Sequence, residues 1–144
     1  MPGVRAELDR LWRELQQGGE LTNAPPNGSL QQAFEWMKEN FKVASERNLA
    51  LVAYEGGQHL VAYGGGEKNQ AITNLFIAAN RDPRIYNLYL NYLNQWKTAG
   101  GTLFIHWLDI GKYSKWGSWG ALEHVEQESS PKHNALMTFI KQNS

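Results

Sequence analysis

Two apolar runs of strand length, about fifty positions apart, constrain the fold of this chain more than any other feature. LALVAY occupies positions 49–54, and LFIHWL occupies positions 103–108. The residues between them show helical spacing, and strands that are separated by helices form parallel pairs with a right-handed crossover. Because LALVAY is apolar on both faces, it is typical of a strand that is covered on both sides. The sequence therefore predicts an α/β fold with a short parallel sheet and flanking helices.

Two helices are predicted before the first strand. Apolar residues recur at helical spacing within positions 1–20, and a linker rich in proline, asparagine and glycine follows at positions 21–28. Ser29 and Gln32 then form a predicted capping box for a second helix. Asn48 marks the predicted end of that helix.

Three further helices are predicted after the first strand. A short one includes positions 72–79, and a longer one begins at Asp82, a typical capping residue, and ends at Gly100. Ser130 and Pro131 open the last helix. The predicted order is helix, helix, strand, helix, helix, strand, helix, and the whole chain, residues 1–144, is predicted to form a single domain.

The tetrapeptide LVAY occurs twice, at positions 51–54 and 60–63. One interpretation is a β-hairpin folded around the connection EGGQH, which has an acceptable length and contains glycine. The other interpretation takes the first copy as a buried strand and the second as an ordered loop or short extended segment. The sequence favours the second interpretation, because the second copy runs into GGGEKN and because a hairpin would leave the helices without a larger sheet to cover.

Composition limits the classes of partner and chemistry. Lysine plus arginine and aspartate plus glutamate number 14 each, so no net charge attracts the chain to nucleic acid or to an anionic membrane. The absence of cysteine excludes disulfides, thiolate nucleophiles and cysteine-bound metals. The N-terminus lacks the apolar core of a signal peptide, and no apolar stretch has the length of a spanning helix, so we expect a cytoplasmic protein.

Two carboxylates follow the predicted strands. Glu55 comes directly after LVAY, and two glycines after it allow the backbone to approach a ligand closely. Asp109 lies near the end of the second run, and the carboxyl ends of parallel strands meet at one edge of a sheet. Glu55 and Asp109 are therefore the candidate catalytic pair; the alternative is a solvated loop carboxylate or a helix cap.

Aromatic and polar residues surround these positions. The loop GKYSKWGSWG at positions 111–120 presents rings among small residues, which suits stacking on a sugar; the alternative is that these rings fill the bottom of a barrel or form an oligomer interface. The candidate ligand-binding residues are Tyr54, Gln58, His59, His106, Trp107, Tyr113, Trp116 and Trp119. The histidines lack the HExxH spacing of a metal site, and GGGEKN lacks the phosphate-binding pattern, so neither a metal nor another cofactor is predicted.

Three segments carry a resemblance to a known family: LVAYEGGQHL, NRDPRIYNLYLNYLNQWKTAGG and GTLFIHWLDIGKYSKWGSWGALE. Together they resemble the C-terminal end of (β/α)8-barrel proteins related to clan A glycoside hydrolases, an uncharacterised bacterial glycosidase-like family, over roughly residues 29–142. The resemblance implies that Glu55 occupies the nucleophile position at the end of the seventh strand. It also implies that Trp107 and Asp109 lie at or near the end of the eighth strand.

The resemblance implies a partial (β/α) barrel over residues 29–144, because nothing in the chain corresponds to strands one to six. The acid/base glutamate of the family comes from the fourth strand, so the implied function is carbohydrate binding or an incomplete, weakly active or inactive glycoside hydrolase. A closed barrel needs eight strands and about 250 residues. An open parallel edge tends to find a partner, which predicts a homo-oligomer. The rival function is a non-enzymatic oligomeric structural or interaction protein that retains only the fold.

Overall fold

A computed structural model describes residues 2–144 and shows a mixed helix and strand chain. The elements are α1 (Pro2–Gln17), α2 (Ser29–Ser45), β1 (Leu51–Gly56), α3 (Gln70–Arg81), α4 (Arg84–Thr98), β2 (Gly101–His106) and α5 (Pro131–Asn143), with one 3-10 turn at Gly66–Lys68. This order confirms the predicted one. β1 and β2 pair as a two-stranded parallel sheet, which confirms the predicted parallel pairing.

The chain forms two compact units. The first comprises the N-terminal segment up to Val52 together with Asn94–Leu103, and the second comprises Ala53–Leu93 together with Phe104–Ser144. In the first unit α1 contacts α2, and the buried apolar side chains include Trp12 and Phe34. In the second unit the buried side chains come from α3, α4, α5 and the loop before α5, and they include Ala79, Ile85, Tyr89, Leu93, Ala121 and Ala135.

The predicted capping box at the start of α2 is wrong. The helix already includes Ser29, and the N-cap is Gly28, which makes no side-chain cap hydrogen bond. Gly28 has φ +85°, a conformation that favours glycine, and a Cβ atom there would lie 2.7 Å from the carbonyl oxygen of Leu15. The close approach of α1 therefore selects glycine as the cap. The side chains of Ser29 and Gln32 are left to the helix surface.

Both strands are displaced from the apolar runs that predicted them. Leu49 belongs to the turn after α2, because its N–H donates to the carbonyl oxygen of Ala44 (2.9 Å), and Asn48 has φ +55° as the helix ends. Leu108 lies outside β2, because its N–H donates to the carbonyl oxygen of Trp119 (3.1 Å). Leu49 and Leu108, which the apolar runs include, therefore bond to a helix terminus and to a loop and are not part of the sheet.

The prediction that the first strand is covered on both faces is also wrong. Alternate side chains of a strand point to opposite faces. In β1 Val52 is 52% exposed and Tyr54 is 77% exposed, and in β2 Leu103 and Ile105 are 53% and 46% exposed. Roughly half or more of each of these four side chains is therefore open to solvent. The apolar runs therefore predict the strands, but they do not predict that the strands are buried on both faces.

The second LVAY segment, positions 60–63, forms no strand, which confirms the interpretation that the sequence favoured. It leads into the 3-10 turn at Gly66–Lys68, after which the side chain of Asn69 caps α3 by accepting from Ala71 N–H (3.0 Å). Among residues 2–144, no helix combines the length and the apolar character that crossing a bilayer requires.

Candidate functional site

A cavity of about 230 Å³ lies in the second unit, where β1 and β2 reach their carboxyl ends. Its lining consists of Glu55, Gly56, Gly57, Gln58, His59, Trp107 and Trp119. Five of these follow one another along the chain as β1 ends. One follows directly after β2, and the last comes from the loop before α5. The cavity is therefore at the edge of the sheet where the sequence predicted a ligand site.

Glycine is needed at the end of β1 because the backbone there meets β2 closely. Trp107 N–H donates to the carbonyl oxygen of Gly56 (2.8 Å), which extends the pairing of the strands to the cavity. A Cβ atom at Gly56 would collide with the ring of Phe104. Gly57 has φ +147°, and a Cβ atom there would lie 3.4 Å from the carbonyl oxygen of Trp107. These two glycines allow Glu55 and Trp107 to line the same hollow.

Gln58 forms a fixed part of the cavity wall. Its backbone N–H donates to the hydroxyl of Tyr89 (3.2 Å), and its side-chain Nε2 donates to the carbonyl oxygen of Ser118 (2.9 Å). Its Oε1 accepts from Leu60 N–H (2.7 Å). Because the nitrogen and the oxygen of the side-chain amide are both hydrogen-bonded within the protein, the main role of Gln58 is to form the cavity wall.

The aromatic wall consists of Trp107 and Trp119. The ring of His59 packs edge-on against Trp119, with centroids 4.8 Å apart and an interplanar angle of 86°. Trp107 is 47% exposed, so much of its ring surface remains open to solvent or to a ligand. Glu55 is exposed and is the one carboxylate in the lining. The cavity therefore offers two indole rings, an imidazole and a carboxylate acceptor.

The buried Tyr89 and the half-buried His106 form a pair next to Gln58. His106 Nε2 lies 3.4 Å from the hydroxyl of Tyr89, the same hydroxyl that accepts from Gln58. Burial, and to a lesser extent the positive charge of Lys132, lowers the pKa of His106 to about 4, so the imidazole is neutral at pH 7. Burial also raises the pKa of Tyr89, which keeps its phenol protonated. Neither ring reaches the cavity lining, so their contribution is to hold Gln58 in place.

The structure brings five of the predicted site residues to the cavity: Glu55, Gln58, His59, Trp107 and Trp119. The others lie outside its lining. Asp109 is exposed, and its carbonyl oxygen accepts from Leu122 N–H (2.9 Å). Tyr113 is buried and donates its hydroxyl hydrogen to the carbonyl oxygen of Gly120 (3.1 Å). Tyr54 and Trp116 are 77% and 66% exposed, and the Lys115 ammonium lies 4.6 Å from the ring centroid of Trp116.

Sequence reasoning missed a buried polar cluster next to the cavity. Lys132, in the first turn of α5, is fully buried, and its Nζ donates to the carbonyl oxygen of Ser118 (2.6 Å) and to Asn80 Oδ1 (3.0 Å). Its ammonium also lies 4.5 Å from the ring centroid of Tyr113. The one signal in the sequence is a cation in the first turn of a helix, where the helix dipole disfavours positive charge.

An ion pair between Arg81 and Glu123 lies near this buried cluster, and the Arg81 side chain is exposed to solvent. Arg81 donates two hydrogen bonds to Glu123, at 2.7 Å and 2.6 Å, and this bidentate pairing lowers the pKa of Glu123. The sequence predicts an ion pair at a helix start for Arg81, beside Asp82. The ion pair exists, but Arg81 ends α3 and its partner comes from the loop before α5, whereas Asp82 pairs with Arg84 (2.7 Å).

The fold and the site together define a mixed α/β protein with an aromatic-walled, singly acidic cavity at the carboxyl ends of two parallel strands. Comparison with protein-family models, with curated proteins and with solved structures gave no significant match. In the described residues, no group of three histidine, aspartate or glutamate side chains is arranged to hold a metal ion. Function therefore has to be argued from the cavity itself.

Proposed function

We propose that this chain binds a small carbohydrate or a related polyol in the cavity, as a partial (β/α) barrel equivalent to the last two strands of a clan A-like glycosidase. The observation that carries the proposal is the combination of Glu55 with Trp107 and Trp119 in one hollow. Indole faces provide apolar area for the C–H side of a sugar ring, and a carboxylate accepts hydrogen bonds from its hydroxyl groups. The volume, about 230 Å³, is below the roughly 300–1,000 Å³ of pockets for drug-sized ligands, so it suits one or two sugar rings.

The proposal is one of binding without efficient hydrolysis. Cleavage of a glycoside needs two carboxyl groups that flank the bond. Glu55 lines the cavity, whereas Asp109 does not, and no other carboxylate is in the lining. Glu55 alone can orient a hydroxyl or stabilise positive charge on a sugar ring. Without a partner in the cavity it lacks the acid that protonates the leaving group, so we expect weak activity or none from this chain alone.

The binding proposal is tested by replacing Glu55 with glutamine. We expect at least one neutral mono- or disaccharide to bind the wild type, and Glu55→Gln to lower its affinity about tenfold to a hundredfold, since hydrogen bonds to a charged group contribute about 1.5–3 kcal/mol. Isothermal titration calorimetry across a panel of saccharides measures this. Glu128→Gln changes an exposed carboxylate outside the cavity and should leave the affinity unchanged. Absence of saccharide binding by the wild type, or equal affinity in Glu55→Gln, would contradict the proposal.

A second function, that of an oligomeric interaction protein, is favoured by the exposed apolar side chains of the sheet. Val52, Tyr54, Leu103 and Ile105 stand on alternate positions of two paired strands. A two-stranded parallel sheet also has unpaired backbone groups at its edges, and such edges tend to recruit further strands. We propose that a second copy of this chain covers the sheet, whether or not a sugar binds.

A lysine on the sheet should therefore weaken self-association. We expect the wild type to sediment as an oligomer, and Tyr54→Lys to raise the dissociation constant at least tenfold, because a buried interface position would then hold an unpaired charge. Tyr63→Lys is the matched control, since Tyr63 is 91% exposed and lies in the loop after β1. Analytical ultracentrifugation over a concentration series distinguishes the variants. A wild type that remains monomeric at high micromolar concentration would refute the oligomer and leave the sugar proposal intact.

A further inference from the structure

The buried ammonium of Lys132 connects two separate segments of the chain by hydrogen bonds. Its side chain is 0% exposed, and its two hydrogen bonds go to acceptors on different parts of the chain, Asn80 in α3 and Ser118 in the loop before α5. Burying a charge is costly unless it is well hydrogen-bonded. The hydrogen bonds to Asn80 and Ser118 therefore allow the Lys132 ammonium to remain buried.

One of these acceptors joins the ammonium to the cavity. The carbonyl oxygen of Ser118 accepts from Lys132 Nζ (2.6 Å) and also from Gln58 Nε2 (2.9 Å). Gln58 lines the cavity, and so does Trp119, whose peptide N–H belongs to the same peptide unit as the Ser118 carbonyl. A single peptide unit thus links a buried charge to two residues of the wall. Ser118 itself is 1% exposed, so no solvent competes for its carbonyl.

We propose that Lys132 is a positioning residue for the cavity, and that its ammonium group holds the Ser118 carbonyl, and through it Gln58 and Trp119, in the arrangement that lines the site. The inference relies on the proposed function only in taking the cavity to be the binding site. The arrangement of the wall is a property of the free protein, and it can be measured without any sugar.

The charged and titratable groups around Lys132 determine when the ammonium is present. They are Arg81 at the end of α3, His106 at the end of β2, and Tyr113 and Glu123 in the loop before α5. Burial lowers the pKa of Lys132 to about 7, and the negative charge of Glu123 opposes that change. A neutral amine has two N–H donors instead of three and forms weaker, uncharged hydrogen bonds. The hold on Ser118 should therefore weaken as the proton is lost.

The test is an NMR titration of the ligand-free protein between pH 5.5 and about 9. We expect three signals to shift together with one midpoint near pH 7: the ε-carbon of Lys132, the indole N–H of Trp119 and the side-chain amide of Gln58. Assignments follow from single substitutions at each position. Shared midpoints support the inference. A Lys132 ε-carbon that titrates while the other two signals stay fixed, or that titrates with a different midpoint from them, would overturn it.

Two variants distinguish the effect of Lys132 on the Trp119 signal from that of His59, whose imidazole ring packs on Trp119. Lys132→Met should abolish the shifts of Trp119 and Gln58 in this pH range, because methionine has similar length and no proton to lose. His59→Gln removes the ring that packs on Trp119 and should leave the shifts in place. Shifts that persist in Lys132→Met, or vanish in His59→Gln, would show that Lys132 is not their cause and would refute the inference. Should Lys132→Met fail to fold, the shared midpoint in the wild type and the His59→Gln result decide the matter.

Discussion

The free energy of unfolding is expected to rise as the pH increases from about 7 to about 10, and Lys132→Met is expected to lose that rise. The folded protein releases the Lys132 proton at about pH 7, whereas a lysine in the unfolded chain keeps it up to about 10.5. Between these values the unfolded chain binds more protons, so stability increases with pH. Each pKa unit corresponds to about 1.4 kcal/mol, and we expect a rise on the order of 3 kcal/mol.

Other perturbed groups act outside this window. Burial lowers the pKa of His106 to about 4, so its effect is a loss of stability as the pH falls from about 6.5 towards 4. The raised pKa values of Tyr89 and Tyr113 have the opposite sign from that of Lys132, because the unfolded chain releases those protons first. They reduce stability only as the pH rises past about 10. Urea denaturation at intervals of half a pH unit between 6.5 and 9.5 therefore isolates Lys132.

The matched control is Lys141→Met, which removes an exposed lysine from the other end of α5. We expect its stability to keep the wild-type dependence on pH. Equal slopes for the wild type and Lys132→Met would show that Lys132 is charged in the folded protein throughout this range. In that case burial does not control its protonation.

Gly56→Ala is expected to destabilise the protein by about 1–3 kcal/mol, the usual cost of overpacking a filled site. The added methyl group would occupy the space of the Phe104 ring atoms Cζ, Cε1 and Cε2. Phe104 cannot retreat freely, because its ring packs at right angles on Tyr92, with centroids 5.6 Å apart. The substitution should also displace Trp107, whose N–H donates to Gly56, so sugar affinity should fall with stability.

A second substitution tests whether the clash is the cause. Leucine at position 104 lacks the outer ring atoms, so the double variant Gly56→Ala, Phe104→Leu should be more stable than the sum of the two single losses, by about 1–2 kcal/mol. Gly66→Ala is the control for the intrinsic effect of an added methyl group, since a Cβ atom there meets only the Ala62 methyl at 3.3 Å. Urea denaturation of the four proteins completes the cycle. Strict additivity would rule out Phe104 as the obstacle.

Helix positions were predictable because their signals are local. Asp82 and Ser130 begin helices as their side-chain chemistry requires: Asp82 Oδ1 accepts from Arg84 N–H (2.9 Å), and Ser130 Oγ accepts from His133 N–H (3.0 Å). The same local rule failed at Ser29. There a helix from elsewhere in the chain approaches the backbone, and only glycine fits at the preceding position. Capping chemistry predicts a helix start when no neighbouring backbone competes for the site.

The candidate site was predictable to the extent that it follows the strand ends. Glu55, Gln58 and His59 follow directly from β1, and Trp107 from β2, so the parallel pairing places them at one edge. Asp109 is only two residues beyond Trp107, yet it lies outside the cavity lining. Its loop pairs with the segment around Leu122, and that pairing is a long-range hydrogen bond that no spacing rule predicts.

Apolar periodicity and capping residues were enough to predict the order of the helices and strands, because each acts between residues close in sequence. The parallel pairing of the two strands followed from the crossover rule for strands that are separated by helices. The tertiary structure alone decided which side chains line the cavity, which apolar residues stay exposed on the sheet, and that Lys132 is buried at hydrogen-bond distance from Ser118. Burial and charge pairing depend on which segments approach one another in space. From the sequence alone, a lysine at the start of a helix is expected at the surface. Lys132 is buried because two other segments of the chain provide acceptors for its ammonium group, Asn80 in α3 and Ser118 in the loop before α5.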